Sequence, residues 1–428
     1  MADVQPLRAL HYDMRAVGSL DDVVAPPYDV IDDALRAQLV ARSAFNVVEV
    51  DLPAAPGGGD AYLHAQTTFE AWRQGSVVTQ DREPALWPAT QEYAAPGGGE
   101  QRVRHGFLCR VRVEDYGAGR IRPHERTQPG PKEDRLRLTR ATRANLSPIF
   151  SLFPDPEGTA WAALEPTTAE EPFGSATDAD GTLTRIWRCA DADAVAGVQA
   201  ALADAELLIA DGHHRYETAR VYADEVGGEG EHRYTLMFLC SMSDPGLTVL
   251  PTHRLLSGLD GGRRAALREA VERDFETLEI DRAELEPPPT TPDGDGAGAA
   301  IELGYLDADG GRSLRLTLKD PGVADRALAG RPEPYRRLDT ALVEALILKG
   351  ALGMTEDDIA RQDGLSYAKR ADHAVEAVES GAADAALFMR ATPVEQVREV
   401  AAAGESMPPK STFFYPKVPT GLVFNPLE

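Results

Sequence analysis

Apolar positions recur along the chain at two spacings, and the spacing changes from segment to segment. Over residues 60–74 they recur every three to four positions, with Tyr62, Phe69 and Trp72 available to one face, which predicts a helix. Segment 101–114 alternates instead, through Val103, Phe107, Cys109, Val111 and Val113, and predicts a half-buried strand. A charged helix is predicted from Glu133 to Asn145, a short strand over 148–153, an Ala-rich helix over 192–205 and a buried strand at Glu206-Leu207-Leu208-Ile209-Ala210. Beyond it come a helix at 215–226 and strands at 233–241 and 247–251, the last two joined by the turn Ser243-Asp244-Pro245-Gly246. The final third reads as a helix at 262–275, a hairpin at 300–318, a helix at 337–352 and a strand-helix pair at 384–403. Strands and helices thus alternate, which argues for an α+β (mixed α/β) chain.

Four breaks in composition mark loops or seams. They are Ala54 to Gly59, Pro96 to Gly99, the acidic and Thr-rich stretch around 164–181, and Glu286-Pro287-Pro288-Pro289 running on to Gly298. With 428 residues the chain is long enough for two or three domains. The expected division is an N-terminal α/β region at 1–118, a central core at 119–255 and a C-terminal α/β region at 256–428.

The formal charge of −25 changes the list of partners, because such a field repels a phosphate backbone unless one face is strongly basic. Long nucleic acid is therefore not expected. No apolar run approaches ~20 residues, so no membrane partner is expected, and a cytoplasmic location follows. Cys109, Cys189 and Cys240 form no C-x-x-C pair and read as buried free thiols. Nearly all basic residues are arginine; the lysines are Lys132, Lys319, Lys349, Lys369, Lys410 and Lys417.

The strongest candidate chemistry sits where the Leu207–Ala210 strand runs into Asp211-Gly212-His213-His214-Arg215 and a helix. A glycine at such a turn lets the backbone approach a ligand, and the N–H groups of the next helix start attract an anion. Arg215 adds a guanidinium suited to phosphate. The paired histidines with Asp211 also admit a metal reading, and a bland one in which they only cap the helix. A second constellation is Pro123-His124-Glu125-Arg126-Thr127, in a loop before a helix, where Glu125 is a candidate general base or part of a solvated charged turn. A third, Ala25-Pro26-Pro27-Tyr28-Asp29-Val30-Ile31, offers Tyr28 as a stacking face with Asp29 beside it, or is a rigid entry turn.

Together with Asn145-Leu146-Ser147-Pro148-Ile149-Phe150, Ser243 to Gly246, Lys410-Ser411-Thr412 and Thr420-Gly421, these motifs resemble the family called domain of unknown function 1015 over almost the whole chain. The order His124-Glu125, Arg135, Ser147-Pro148-Ile149, Asp211 to Arg215 is also similar to the ParB/sulfiredoxin fold and its free-serine kinases, with a long insertion near 154–205. The resemblance implies a ParB/sulfiredoxin-like core in the 119–255 region. It implies ATP or ADP with its phosphates at Asp211, Gly212, His213, His214 and Arg215, and Glu125 as the base acting on a small hydroxyl substrate such as free L-serine.

On this reading His213 or His214 hydrogen-bonds the transferred group, and Mg2+ bridges phosphate oxygens with Asp211 touching its water shell. His124 orients the acceptor, Arg126 or Arg135 holds an acceptor carboxylate, and Tyr28 and Asp29 complete the substrate side. Sulfiredoxin chemistry is disfavoured, since His213 stands where those enzymes carry their cysteine. Competing readings are a non-catalytic nucleotide or phosphometabolite sensor, a ParB-like nucleotide hydrolase and a scaffold protein. A homodimer is compatible with the sequence.

Overall fold

The computed structural model describes residues 2–96, 99–117, 119–127, 129–288 and 301–428. Gly97 and Gly98 of the second expected linker, and most of the fourth from residue 289 onward, lie outside the described residues. The chain is mixed α/β and divides into two units: one of residues 1–123, 127–248 and 416–428, the other of 124–126 and 249–415.

The first unit is built on one large sheet. Its strands run in the order Ile121–Arg122, Leu207–Asp211, Ile149–Phe153, Tyr234–Ser241, Gln101–Arg112, Trp87–Ala94, Leu183–Ile186 and Gly174–Thr177, with Val4–Gln5 also paired to Gln101–Arg112. Two neighbouring pairs are parallel, Ile121–Arg122 with Leu207–Asp211 and Ile149–Phe153 with Tyr234–Ser241. Alternate residues Phe107, Cys109 and Val111 meet Ile149, Leu207, Ile209, Met237 and Leu239 in one buried layer, as the period-two pattern requires. The helix Ala61–Gln74 buries Phe69 and Trp72, each worth about 2–3 kcal/mol on burial.

Several sequence expectations meet a different arrangement. The division at 118/119 does not separate two units, because Gln101–Arg112 hydrogen-bonds along Tyr234–Ser241 and ties both sides into one sheet. The expected insertion supplies two helices, Thr159–Thr168 and Ala192–Ala201, and the two strands that extend the sheet beyond Trp87–Ala94. Ser243 to Gly246 is not the turn of a hairpin: Tyr234–Ser241 is already flanked by two other strands, and Thr248–Leu250 pairs with Phe413–Tyr415. Strand Trp87–Ala94 and helix Asp33–Arg42 have no counterpart in the expectations. The strand's period is hidden because six of its first seven residues, Pro88 and Gln91 among them, are buried.

The second unit is a six-stranded antiparallel sheet in the order Phe275–Glu279, Ser313–Leu318, Glu302–Asp307, Ala385–Phe388, His253–Leu256 and Leu365–Ala368. The expected hairpin appears as Glu302–Asp307 against Ser313–Leu318. Leu256, Leu267, Leu316 and Ile347 fill one side, and Leu306, Ala374, Ala386 and Phe388 the other.

Candidate functional site

Strand Leu207–Asp211 is buried until its last residue, and a register irregularity between Ile209 and Asp211 marks where it leaves the sheet. Gly212 then turns the chain with φ +96°, a conformation that costs any residue with a Cβ. The helix starts at once, at His213, two residues earlier than the pattern predicts, and Gly212 at its N-cap has no side chain to cap it. His213 and His214 therefore sit in the first turn, His213 buried and His214 half-buried. N–H groups at such a start point along the axis, and the helix dipole favours an anion there.

Arg215 folds back over Gly212; a Cβ on Gly212 would lie 2.9 Å from its Nε. Its Nη2 donates to Asp211 Oδ2 at 2.6 Å, and its Nη1 to Ser147 Oγ at 2.7 Å and to the Pro148 carbonyl. Ser147 Oγ also accepts from Thr420 Oγ1 at 2.9 Å. Most of the fork is thus engaged within the protein. The Nε–H is buried with no hydrogen-bond partner among the described residues.

The other oxygen of Asp211 belongs to Lys417, whose Nζ stands 2.6 Å from Oδ1. Burial alone would raise the Asp211 pKa, but Lys417 and Arg215 outweigh it and hold the carboxyl well below the usual carboxylate range. Both oxygens face cations, so this carboxylate does not fit a metal or its water shell without losing an ion pair. Among the described residues no group of three His, Cys, Asp or Glu side chains could hold a metal ion.

Next to Arg215 lies a second charged group. Arg135, on the Pro129–Thr142 helix, donates from Nη1 to the Asp51 carbonyl at 2.7 Å and to Asp51 Oδ1 at 3.3 Å, and from Nε to Asp134 Oδ2 at 2.8 Å. The Tyr28 ring lies 4.2 Å from its guanidinium carbon, a cation–π contact. Burial works against the Arg135 cation, and Asp51 and Asp134 more than offset it. Burial also raises the pKa of Asp51 and of the Tyr28 hydroxyl. Asp51, Arg135, Thr139, Ser147, Arg215 and Thr218 line a cavity of about 40 Å3. That is room for a few water molecules.

The remaining candidates fall elsewhere. Asp29 is exposed in the short turn Tyr28–Val30. His124, Glu125 and Arg126 belong to the second unit. There the His124 ring is fully buried with Nε2 3.0 Å from Thr412 Oγ1, and its carbonyl accepts from Met407 N at 2.8 Å. Glu125 is half-buried with Oε1 4.0 Å from His124 Nε2, and Arg126 is exposed. Sequence reasoning grouped Asp211, Gly212 and Arg215 as the structure does. It missed Lys417 and Ser147 as partners of that group, Thr420 behind Ser147, and Asp51 as the partner of Arg135. The one available signal was the rarity of lysine, with Lys417 standing alone behind an aromatic run.

Among solved structures the chain is similar to a conserved hypothetical protein from Pyrococcus furiosus at 16% identity and TM-score 0.34, covering 71% of this chain and 92% of that one. It is similar to a free serine kinase in complex with ADP at 12% identity and TM-score 0.36, over 71% and 89% of the two chains. SbnI with a C-terminal truncation from Staphylococcus aureus compares at 12% identity and TM-score 0.35, over 73% and 85%. No curated protein matches the chain. The profile described as protein of unknown function DUF1015 matches residues 4–341, which is most of the chain, and the protein belongs to that family.

Proposed function

We propose that the protein transfers a phosphoryl group from ATP or ADP to a small hydroxyl metabolite, with free L-serine as the first acceptor to try. The observation that carries this reading is the turn itself: a strand end, a left-handed Gly212 and a helix start with no side-chain cap, beside Arg215 and Lys417. Backbone N–H groups and cations gathered at one point suit phosphate, and phosphoryl transfer asks a protein mainly for positioning and charge compensation.

In the reaction, the acceptor oxygen attacks the terminal phosphorus, the bond to the nucleotide's bridging oxygen breaks, and the hydroxyl proton passes to a base. Glu125 is assigned as that base and His124 as its neighbour on the motif order alone. Mg2+ bound to the nucleotide phosphates would offset their charge.

A second reading is favoured by one observation. Both oxygens of Asp211 are taken by cations, which suits a nucleotide sensor that binds without turnover. Purified protein with Mg2+, ATP or ADP, and a panel of hydroxylated metabolites separates the two when followed by phosphorus NMR. The kinase yields a new phosphomonoester, and Glu125→Gln lowers its rate by roughly 100-fold or more while nucleotide affinity is kept. Nucleotide-dependent stabilisation with no product from any acceptor moves the assignment to the sensor, and absence of nucleotide binding overturns both.

A further inference from the structure

Lys417 lies beyond residues 4–341, the span that carries the family match, and so far enters the site only as a cation paired with Asp211 beside the turn. Its backbone is held firmly. Gln91 Nε2 donates to the Lys417 carbonyl at 3.1 Å, and Arg104 Nη2 donates to the Pro416 carbonyl at 2.7 Å. Thr420 exchanges two backbone hydrogen bonds with Ala25, of 2.8 and 3.1 Å. Only the four-carbon stem is left to move, and it delivers an ammonium group to Asp211.

The charge around that group is out of balance. Asp211 is one carboxylate shared by Lys417 and Arg215. Arg104, fully buried at 0% exposure, adds a third cation to the same end of the sheet, where the fields of Asp244 and, less strongly, Asp211 reach it. No carboxylate hydrogen-bonds to Arg104 among the described residues. Its guanidinium carbon lies 4.5 Å from the Phe150 ring centroid, and its Nε and Nη1 have no hydrogen-bond partner among the described residues. Buried cations without counter-charge are costly, and orphaned buried donors call for a missing acceptor. The Arg215 Nε–H against Gly212 is orphaned in the same way. Among the described residues the cluster thus has fewer carboxylates within hydrogen-bonding range than cations, in a chain whose formal charge is −25.

We infer that Lys417 is a phosphate ligand of the turn: when a nucleotide binds, its ammonium group exchanges Asp211 Oδ1 for oxygens of the terminal phosphates, and Asp211 keeps Arg215. This rests on the reading of the turn as a phosphate site and adds the C-terminal segment to that site. Asp211 then acts as an internal counter-ion that parks the lysine while the site is empty. A lysine suits the exchange, being a point charge with three rotatable donors, whereas the planar fork of Arg215 is fixed by Ser147, Pro148 and Asp211.

The test is calorimetric titration of the full chain with ADP and, separately, with inorganic pyrophosphate, for wild type, Lys417→Ala and Lys417→Arg, with melting temperatures alongside. Lys417→Ala should weaken both ligands by roughly 10- to 100-fold, the range for a lost hydrogen bond to a charged group. Lys417→Arg, which retains the charge and a partner for Asp211, should recover part of that loss. Variants that bind ADP and pyrophosphate as wild type does overturn the inference and leave the nucleotide reading standing. The same holds if ADP affinity falls while pyrophosphate affinity does not, or if the loss scales with the loss of melting temperature in both variants. A wild-type protein that binds neither ligand overturns the phosphate site itself, and the role of Lys417 with it.

Discussion

Lys417 Nζ stands 2.6 Å from Asp211 Oδ1 across 206 residues of sequence, so the end of the chain closes the turn that its middle builds. With Arg215 on the other oxygen, Asp211 carries a large share of the local electrostatics. Asp211→Asn should destabilise the protein by on the order of 3 kcal/mol at pH 7, because it leaves two largely shielded, half-buried cations short of a partner. The pH dependence has a definite sign. The folded pKa of Asp211 is depressed, so its stabilisation is present above the unfolded value near 3.9 and is lost as pH falls toward the folded value. Urea unfolding should therefore show a constant gap between wild type and variant from pH 5 to 8 that closes below about pH 4. A gap of equal size at pH 7 and pH 3 would contradict the ion-pair account.

Gly212 and Gly227 bracket the same helix, both with positive φ, and they should respond differently to alanine. At Gly227 the added Cβ meets nothing within 4 Å, so Gly227→Ala should cost only backbone strain of about 1–2 kcal/mol. At Gly212 the same strain is joined by a contact on the Arg215 guanidinium. Gly212→Ala should lose more stability and should also weaken ADP binding, while Gly227→Ala leaves ADP binding unchanged.

Arg135 is, with Arg126, one of two candidate acceptor-carboxylate ligands in the sequence reading, yet its donors already hold Asp51 and Asp134 and its face lies on Tyr28. Arg135→Met should cost roughly 3–5 kcal/mol by stranding buried Asp51, whereas Asp51→Asn should cost less, because the amide still accepts from Arg135 and no longer carries a buried charge. Denaturation midpoints of the two variants check this ordering. Equal losses would mean that the Asp51 charge is not what Arg135 offsets.

The three cysteines are buried and free, and burial pushes the Cys109 and Cys240 thiols well above their ordinary range. The native protein should resist a thiol-reactive dye at pH 8, and all three should react in denaturant. Rapid labelling of the native state would show that the sheet opens around them.

The legible part of this molecule was the part written locally. Leu207 to Ala210 is a short apolar run ending in Asp-Gly, and both the strand and the turn could be read from neighbours along the chain. The helix start was misplaced by two residues because His213 and His214 look like loop residues until Gly212 is known to be the last non-helical position. Domain seams were less legible, since the pairing of Gln101–Arg112 with Tyr234–Ser241 joins residues more than a hundred positions apart and leaves no mark in composition. Lys417 was invisible as a site residue for the same reason: its partner is named only by the fold.

The most direct measurement is a crystal structure of the protein grown with ADP and Mg2+. This account places the phosphates within hydrogen-bonding distance of the backbone N–H groups of His213 and His214, at the end of the Leu207–Asp211 strand. ADP bound with its phosphates away from that turn, or crystals in which saturating ADP leaves the turn unchanged and empty, would contradict it.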